Sequence, residues 1–129
     1  MVNKLSLRLA KNNIKIKGAN ILILGIAFKE NCPDIRNSKV VDVINELKDG
    51  GSKVSVYDPI VCSGEVEREY GISINGKLKE NSFDALVIAV GHDQFKEMGL
   101  KNIRKLGRKD SIIFDLKYLF NSNQIDLKL

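Results

Sequence analysis

The sequence lacks the marks of a stapled, metal-bound or membrane-spanning chain. It has two cysteines, Cys32 and Cys62, far apart and without a C-x-x-C or a His-rich neighbourhood. That argues against a zinc site and a disulfide framework, and reads as two reduced thiols of a cytoplasmic protein. Its apolar runs, such as Ile21 to Leu24 and Ala85 to Val90, are far shorter than the roughly 20 residues that cross a bilayer. The start, Met1 to Lys11, alternates Leu with Lys, Arg and Asn, and lacks the apolar core and small-residue cleavage site of a signal peptide. There is no repeat, low-complexity stretch or tight Lys/Arg block, so the basic excess gives no nucleic-acid footprint.

What is present is the composition of one soluble domain. The chain has 129 residues, 43% hydrophobic and 29% charged, enough to bury a core without staples. Lys and Arg outnumber Asp and Glu by 21 to 16, for a net charge of +5. An excess of this kind favours anionic partners, and a phosphate-bearing small molecule fits it.

Periodicity predicts alternating strands and helices. Leu5, Leu7, Leu9 and Ala10 sit among Lys and Arg at a spacing that suits either a short amphipathic helix or a strand. Asn20 to Leu24 is an apolar run ended by Gly25, the pattern of a strand buried on both faces. Val40, Val41, Val43, Ile44 and Leu47 recur at helical spacing, with Ser38 as the expected cap and Gly50-Gly51 as the stop. A second strand at Val54 to Tyr57 ends at Asp58-Pro59. There follow a charged helix over Glu65 to Tyr70, a brief edge strand over Ile72 to Ile74 and a strong strand over Asp84 to Val90. Next come a helix over Gln94 to Met98, a helical turn over Lys101 to Leu106, a strand over Ser111 to Asp115 and a polar tail from Asn121. This order predicts an α/β, three-layer Rossmann-like domain with a mostly parallel twisted sheet flanked by helices.

Ligands of such sheets bind beyond the carboxyl ends of the strands, which directs attention to the loop from Gly25 to Ser38. The loop has one glycine where a dinucleotide fingerprint needs G-x-G-x-x-G. It offers two cations, Lys29 and Arg36, an aromatic ring at Phe28 and a helix N-terminus, a set that suits phosphate and a nucleobase. An ordinary connection with solvated charges is the competing reading, against which its length counts. Asp58 stands where dinucleotide folds place a ribose-binding acid, but Pro59 follows it and it reads as a turn-former. His92-Asp93 resembles a general base with an orienting acid; no nucleophile is near, and Asp93 reads as a helix cap. Lys117 follows the last strand at the same edge of the sheet, open both to a role beside Lys29 on a phosphate and to plain solvation.

The stretches Gly25-Ile26-Ala27-Phe28-Lys29-Glu30-Asn31-Cys32-Pro33-Asp34-Ile35-Arg36-Asn37-Ser38, Val56-Tyr57-Asp58-Pro59 and Ala89-Val90-Gly91-His92-Asp93-Gln94-Phe95 resemble, in this order, the C-terminal domain of the UDP-glucose/GDP-mannose dehydrogenase family. The wording of the first is most similar to the bacterial UDP-N-acetylhexosamine dehydrogenases of Vi-antigen and O-antigen type. The resemblance implies the nucleotide-binding part of an NAD-dependent enzyme that oxidises the C6 alcohol of a UDP-sugar to the uronic acid for surface polysaccharide. It implies residues 1–17 as the connection from a central dimerising helix and 18–129 as the UDP-binding domain. The NAD-binding domain, the catalytic cysteine with its Lys and Asn helpers, and the homodimer contacts are then expected elsewhere. Cys32 and Cys62 inherit no catalytic role, and an isolated domain is expected to be inactive. By the same resemblance Phe28, Lys29 and Lys117 are substrate-binding residues and Arg36 approaches the cofactor. Lys117 stands where glucose-type relatives carry Arg, and Tyr118 where hexosamine-type relatives often carry Gly. A receiver-like regulatory domain is the rival of another class. It requires clustered acids after the first strand and an Asp ending the middle one, where Gly25 to Lys29 and Val90-Gly91 supply neither.

Overall fold

A computed structural model describes residues 2–120 and 125–128. The chain order is α1 (Val2–Lys11), β1 (Asn20–Leu24), α2 (Val40–Asp49), β2 (Lys53–Tyr57), α3 (Ser63–Tyr70), β3 (Phe83–Ile88), α4 (Asp93–Met98), α5 (Leu100–Leu106), β4 (Gly107–Asp115) and β5 (Leu127–Lys128). The strands form one sheet in the order β2-β1-β3-β4-β5, and every pairing is parallel. Parallel strands need crossovers, and crossovers leave helices on both faces of the sheet. Two apolar clusters record this. Ile21, Ile23, Val56, Ala85, Val87, Ile112 and Phe114 pack against Leu5 and Leu9 of α1, Ile44 and Leu47 of α2, and Val66 of α3. Their alternate neighbours Leu22, Leu24, Leu86, Ile88 and Ile113 pack against Phe95 of α4 and Ile103 and Leu106 of α5. The strands read as continuous apolar runs because each successive residue serves one layer or the other.

Several local expectations change. The ambiguous start is helical, since Leu5 and Leu9, four apart, are buried while Leu7 is 70% exposed. Ile72 to Ile74 forms a single bridge, Val56 to Ile74, rather than a strand. The tail is not wholly irregular. Leu127–Lys128 extends the sheet beside β4, and the Asp126 carboxylate accepts the Ile113 N–H at 2.9 Å; Asn121 to Gln124 and Leu129 lie outside the described residues. Ser38 is not a cap. Lys39 holds that position without a side-chain bond, and the Ser38 hydroxyl donates to the Ile26 carbonyl at 2.6 Å. Asp93 is likewise the first residue of α4 and not its cap, which is His92. Among the described residues no helix is long and apolar enough to cross a membrane.

Candidate functional site

With strand order 2-1-3-4-5, the chain adds strands on one side of β1 and then on the other, so the switch point lies between β1 and β3. Beyond their carboxyl ends the flanking loops diverge and leave a crevice. Here the two loops are Gly25 to Lys39 and Ala89 to His92. A hollow of about 250 Å³ lies at this place, lined by Ala27, Phe28, Lys29, Asn37, Lys39, Val40, Ala89, Val90 and Lys117. Phe28, Lys29 and Lys117 are thus brought together. Asn37 and Lys39 join them, two residues that sequence reasoning did not single out as binding residues. None of the lining side chains is acidic, so the local field is positive. Phe28 is 55% exposed, an aromatic face open to a planar partner.

Arg36 is elsewhere. It lines a separate hollow of about 490 Å³ with Asp34, Ile35, Glu65, Arg68 and Glu69. Its guanidinium clasps Asp34 through Nε at 3.0 Å and NH2 at 3.0 Å. The Asp34 carboxyl is drawn down to about 2, first by these bonds and then by the Arg36 backbone N–H. Asp34 in turn raises the guanidinium.

The long loop after β1 owes its shape to partners distant in sequence. Asp58, at the end of β2, accepts the Ile26 N–H at 2.8 Å and the Ala27 N–H at 3.2 Å on one oxygen. The same oxygen lies 2.9 Å from His92 Nε2. His92 Nδ1 accepts the Asn31 N–H at 2.9 Å, so the ring proton sits on Nε2 and is donated to Asp58. The Asn31 side chain closes the circuit by accepting the Asp93 N–H at 2.9 Å. Both members of the His92–Asp58 pair are wholly buried. Burial pushes the Asp58 carboxyl up, but bonds from His92 and from the Ile26 and Ile60 amides outweigh it and hold the group below the ordinary carboxylate range. The turn-former reading of Asp58 covers only its bond from the Ile60 N–H at 2.9 Å. His92 takes Asp58 as its partner, not Asp93.

Behind the hollow's lining, the buried carboxylate of Asp115, at the end of β4, accepts the Lys117 N–H at 3.1 Å and the Phe120 N–H at 3.0 Å. It thereby folds the segment that presents Lys117. Tyr118 in that segment has φ +53°, a left-handed conformation that glycine adopts without strain. This gives a physical reason for the glycine expected there from the resemblance. Among the described residues no group of three His, Cys, Asp or Glu stands ready to hold a metal ion.

Residues 22–122 match the UDP-glucose/GDP-mannose dehydrogenase family, UDP binding domain. The chain is 46% identical over 119 residues to a UDP-N-acetyl-D-glucosamine 6-dehydrogenase of Salmonella typhi, covering 92% of this chain and 28% of the relative. It is 43% identical over 129 residues to an enzyme of the same name from Pseudomonas aeruginosa, covering 100% of this chain and 31% of the relative. The solved structure of a UDP-D-ManNAc dehydrogenase from Pyrococcus horikoshii superposes with a TM-score of 0.76 at 28% identity, covering 94% of this chain and 27% of that one. The chain therefore spans less than a third of the length of these relatives.

Proposed function

Because this chain belongs to the UDP-glucose/GDP-mannose dehydrogenase family, we propose that the hollow at its switch point holds the uridine diphosphate of a nucleotide sugar. The observation that carries the reading is the convergence of Lys29, Lys39 and Lys117 on one hollow, beside an exposed Phe28 and with no acidic wall. Ammonium groups supply point charges to a diphosphate, and the ring supplies a stacking face to a base.

In that longer protein the reaction would be the NAD-dependent oxidation of the sugar C6 alcohol to the uronic acid. The described residues offer NAD no glycine-rich turn for its pyrophosphate. This chain's share in the cofactor is proposed as Arg36 alone, in its separate hollow, where Asp34 holds it in one orientation. NAD would supply the hydride acceptor when bound. The residues of this chain orient the substrate's nucleotide, and none is assigned a bond-making step. Residues 1–17 would carry the connection from a central helix, and residues 18–129 the nucleotide site, within a homodimer. The preference for an N-acetylated hexosamine follows the two bacterial relatives. A cytoplasmic location belongs to the same proposal, and the two free thiols suit a reducing compartment.

Calorimetric titration of the chain with UDP tests this reading. Wild type is expected to bind weakly, without NADH production from a UDP-sugar and NAD. Lys29→Ala is expected to weaken binding by about tenfold, the loss of one charge-assisted contact. Equal heats for the two proteins remove Lys29 from the site.

A further inference from the structure

We infer that the Asp58–His92–Asn31 relay is the positioning element of the binding loop, and that it works through one tautomer of His92. The affinity part of this inference rests on the function proposed above; the structural part does not. Loop residues 25 to 39 have no regular secondary structure before α2, yet Phe28 and Lys29 must stand at fixed places to share a ligand with Lys117. The loop begins at the end of β1, an interior strand of the sheet, where Asp58 grips the Ile26 and Ala27 amides. It is gripped again at Asn31, just past Lys29, by His92. Phe28, Lys29 and Glu30 are therefore a short span between two fixed points. Phe28 is itself tied across the loop, its N–H donating to the Asp34 carbonyl at 2.7 Å.

His92 is what joins the two grips. Its side chain is wholly buried, with its ring 5.4 Å from that of Phe95, so it cannot turn outward without opening the second core cluster. Of the ring's possible states, the neutral Nε2–H form alone donates to Asp58 and accepts from Asn31 at once. The Nδ1–H form would set donor against donor at Asn31 and lone pair against carboxylate at Asp58. A filler of the same volume without these atoms would leave the Asn31 N–H without its acceptor and Asp58 short of one donor.

Two measurements on the full chain decide the matter. The first is a long-range proton–nitrogen correlation spectrum of the wild type together with hydrogen exchange at Asn31. An Nε2–H signature and a protected Asn31 amide are expected, and an Nδ1–H tautomer or a freely exchanging Asn31 amide overturns the inference. The second compares His92→Asn with His92→Leu. Asn sets a carbonyl near the place of Nδ1 but is smaller, whereas Leu keeps the volume and loses the acceptor. The relay predicts that His92→Asn, which keeps an acceptor for Asn31 but gives up the donor to Asp58, leaves Asn31 more protected and UDP affinity less reduced than His92→Leu, which loses the protection and about tenfold in affinity. A packing role predicts the reverse order, and that order overturns the inference. Should the wild type show no affinity for UDP, the proposed function fails, and the tautomer and the exchange comparison still judge the relay.

Discussion

Gly25 and Val90 meet so closely that a Cβ built on the glycine would lie 2.5 Å from the Cβ of the valine and 3.0 Å from its backbone nitrogen. Gly25 also has φ +99°. The loop after β1 and the loop after β3 therefore touch where they leave the sheet, and the hollow opens just beyond. Gly25→Ala introduces left-handed strain and an overpacked contact together. A loss of about 2–4 kcal/mol is expected, read as a lower denaturation midpoint at unchanged slope.

Ser38 leads to a different expectation from that of a helix cap. Its hydroxyl serves the Ile26 carbonyl, so Ser38→Ala leaves a buried acceptor in the loop after β1 without its donor. The cost should be about 1–3 kcal/mol. Amide shifts should move at Ile26 and Ala27 rather than along α2. Changes confined to the first turn of α2 would restore the capping role.

Lys117 lines the same hollow as Lys29 but comes from the segment after β4 rather than the loop after β1. Lys117→Ala is expected to lower affinity for UDP by about tenfold. Lys101→Ala, which removes the same charge from an exposed position on α5, should stay within about twofold. Equal losses in the two variants would make the effect one of net charge and not of the site.

Acidification separates the two carboxylates around the loop. Asp34 should titrate by NMR with a midpoint of about 2, and Arg36→Ala should return it toward about 3.9. For Asp58 the folded value is depressed, so its stabilising effect is complete above the ordinary carboxylate range and is lost as the pH falls through the folded value. The Ile26 and Ala27 amide signals should hold from neutral to mildly acid pH and shift only below that range. A shift already complete at pH 5 would contradict the bonding described.

The layered sheet could be read from the chain because Ile21 to Leu24, Ala85 to Ile88 and Ile112 to Phe114 are apolar runs whose neighbours recur at helical spacing. Those signals are local. Phe28, Lys29 and Lys117 stood out because the ends of buried strands converge at one edge. The roles of Asp58, His92 and Ser38 were only partly legible for a common reason, since each bonds to a backbone group outside its own turn, Ile26 for Asp58 and Ser38, and Asn31 for His92. Nothing adjacent to Asp58 in sequence announces Ile26 or His92 as partners. The two-residue β5 carries too few residues for any period, and its pairing depends on Asp126 reaching Ile113.

The stretch of the loop after β1 that carries residues 28 to 30 is secured through main-chain amides, those of Ile26, Ala27, Phe28 and Asn31, and not through the side chains of those three residues. Its trace is consequently indifferent to which residues occupy positions 28 to 30. Selection can exchange those three letters to suit a new base or a differently charged ligand without refolding the support beneath them, and a library randomised only there would sample ligand preference rather than foldability.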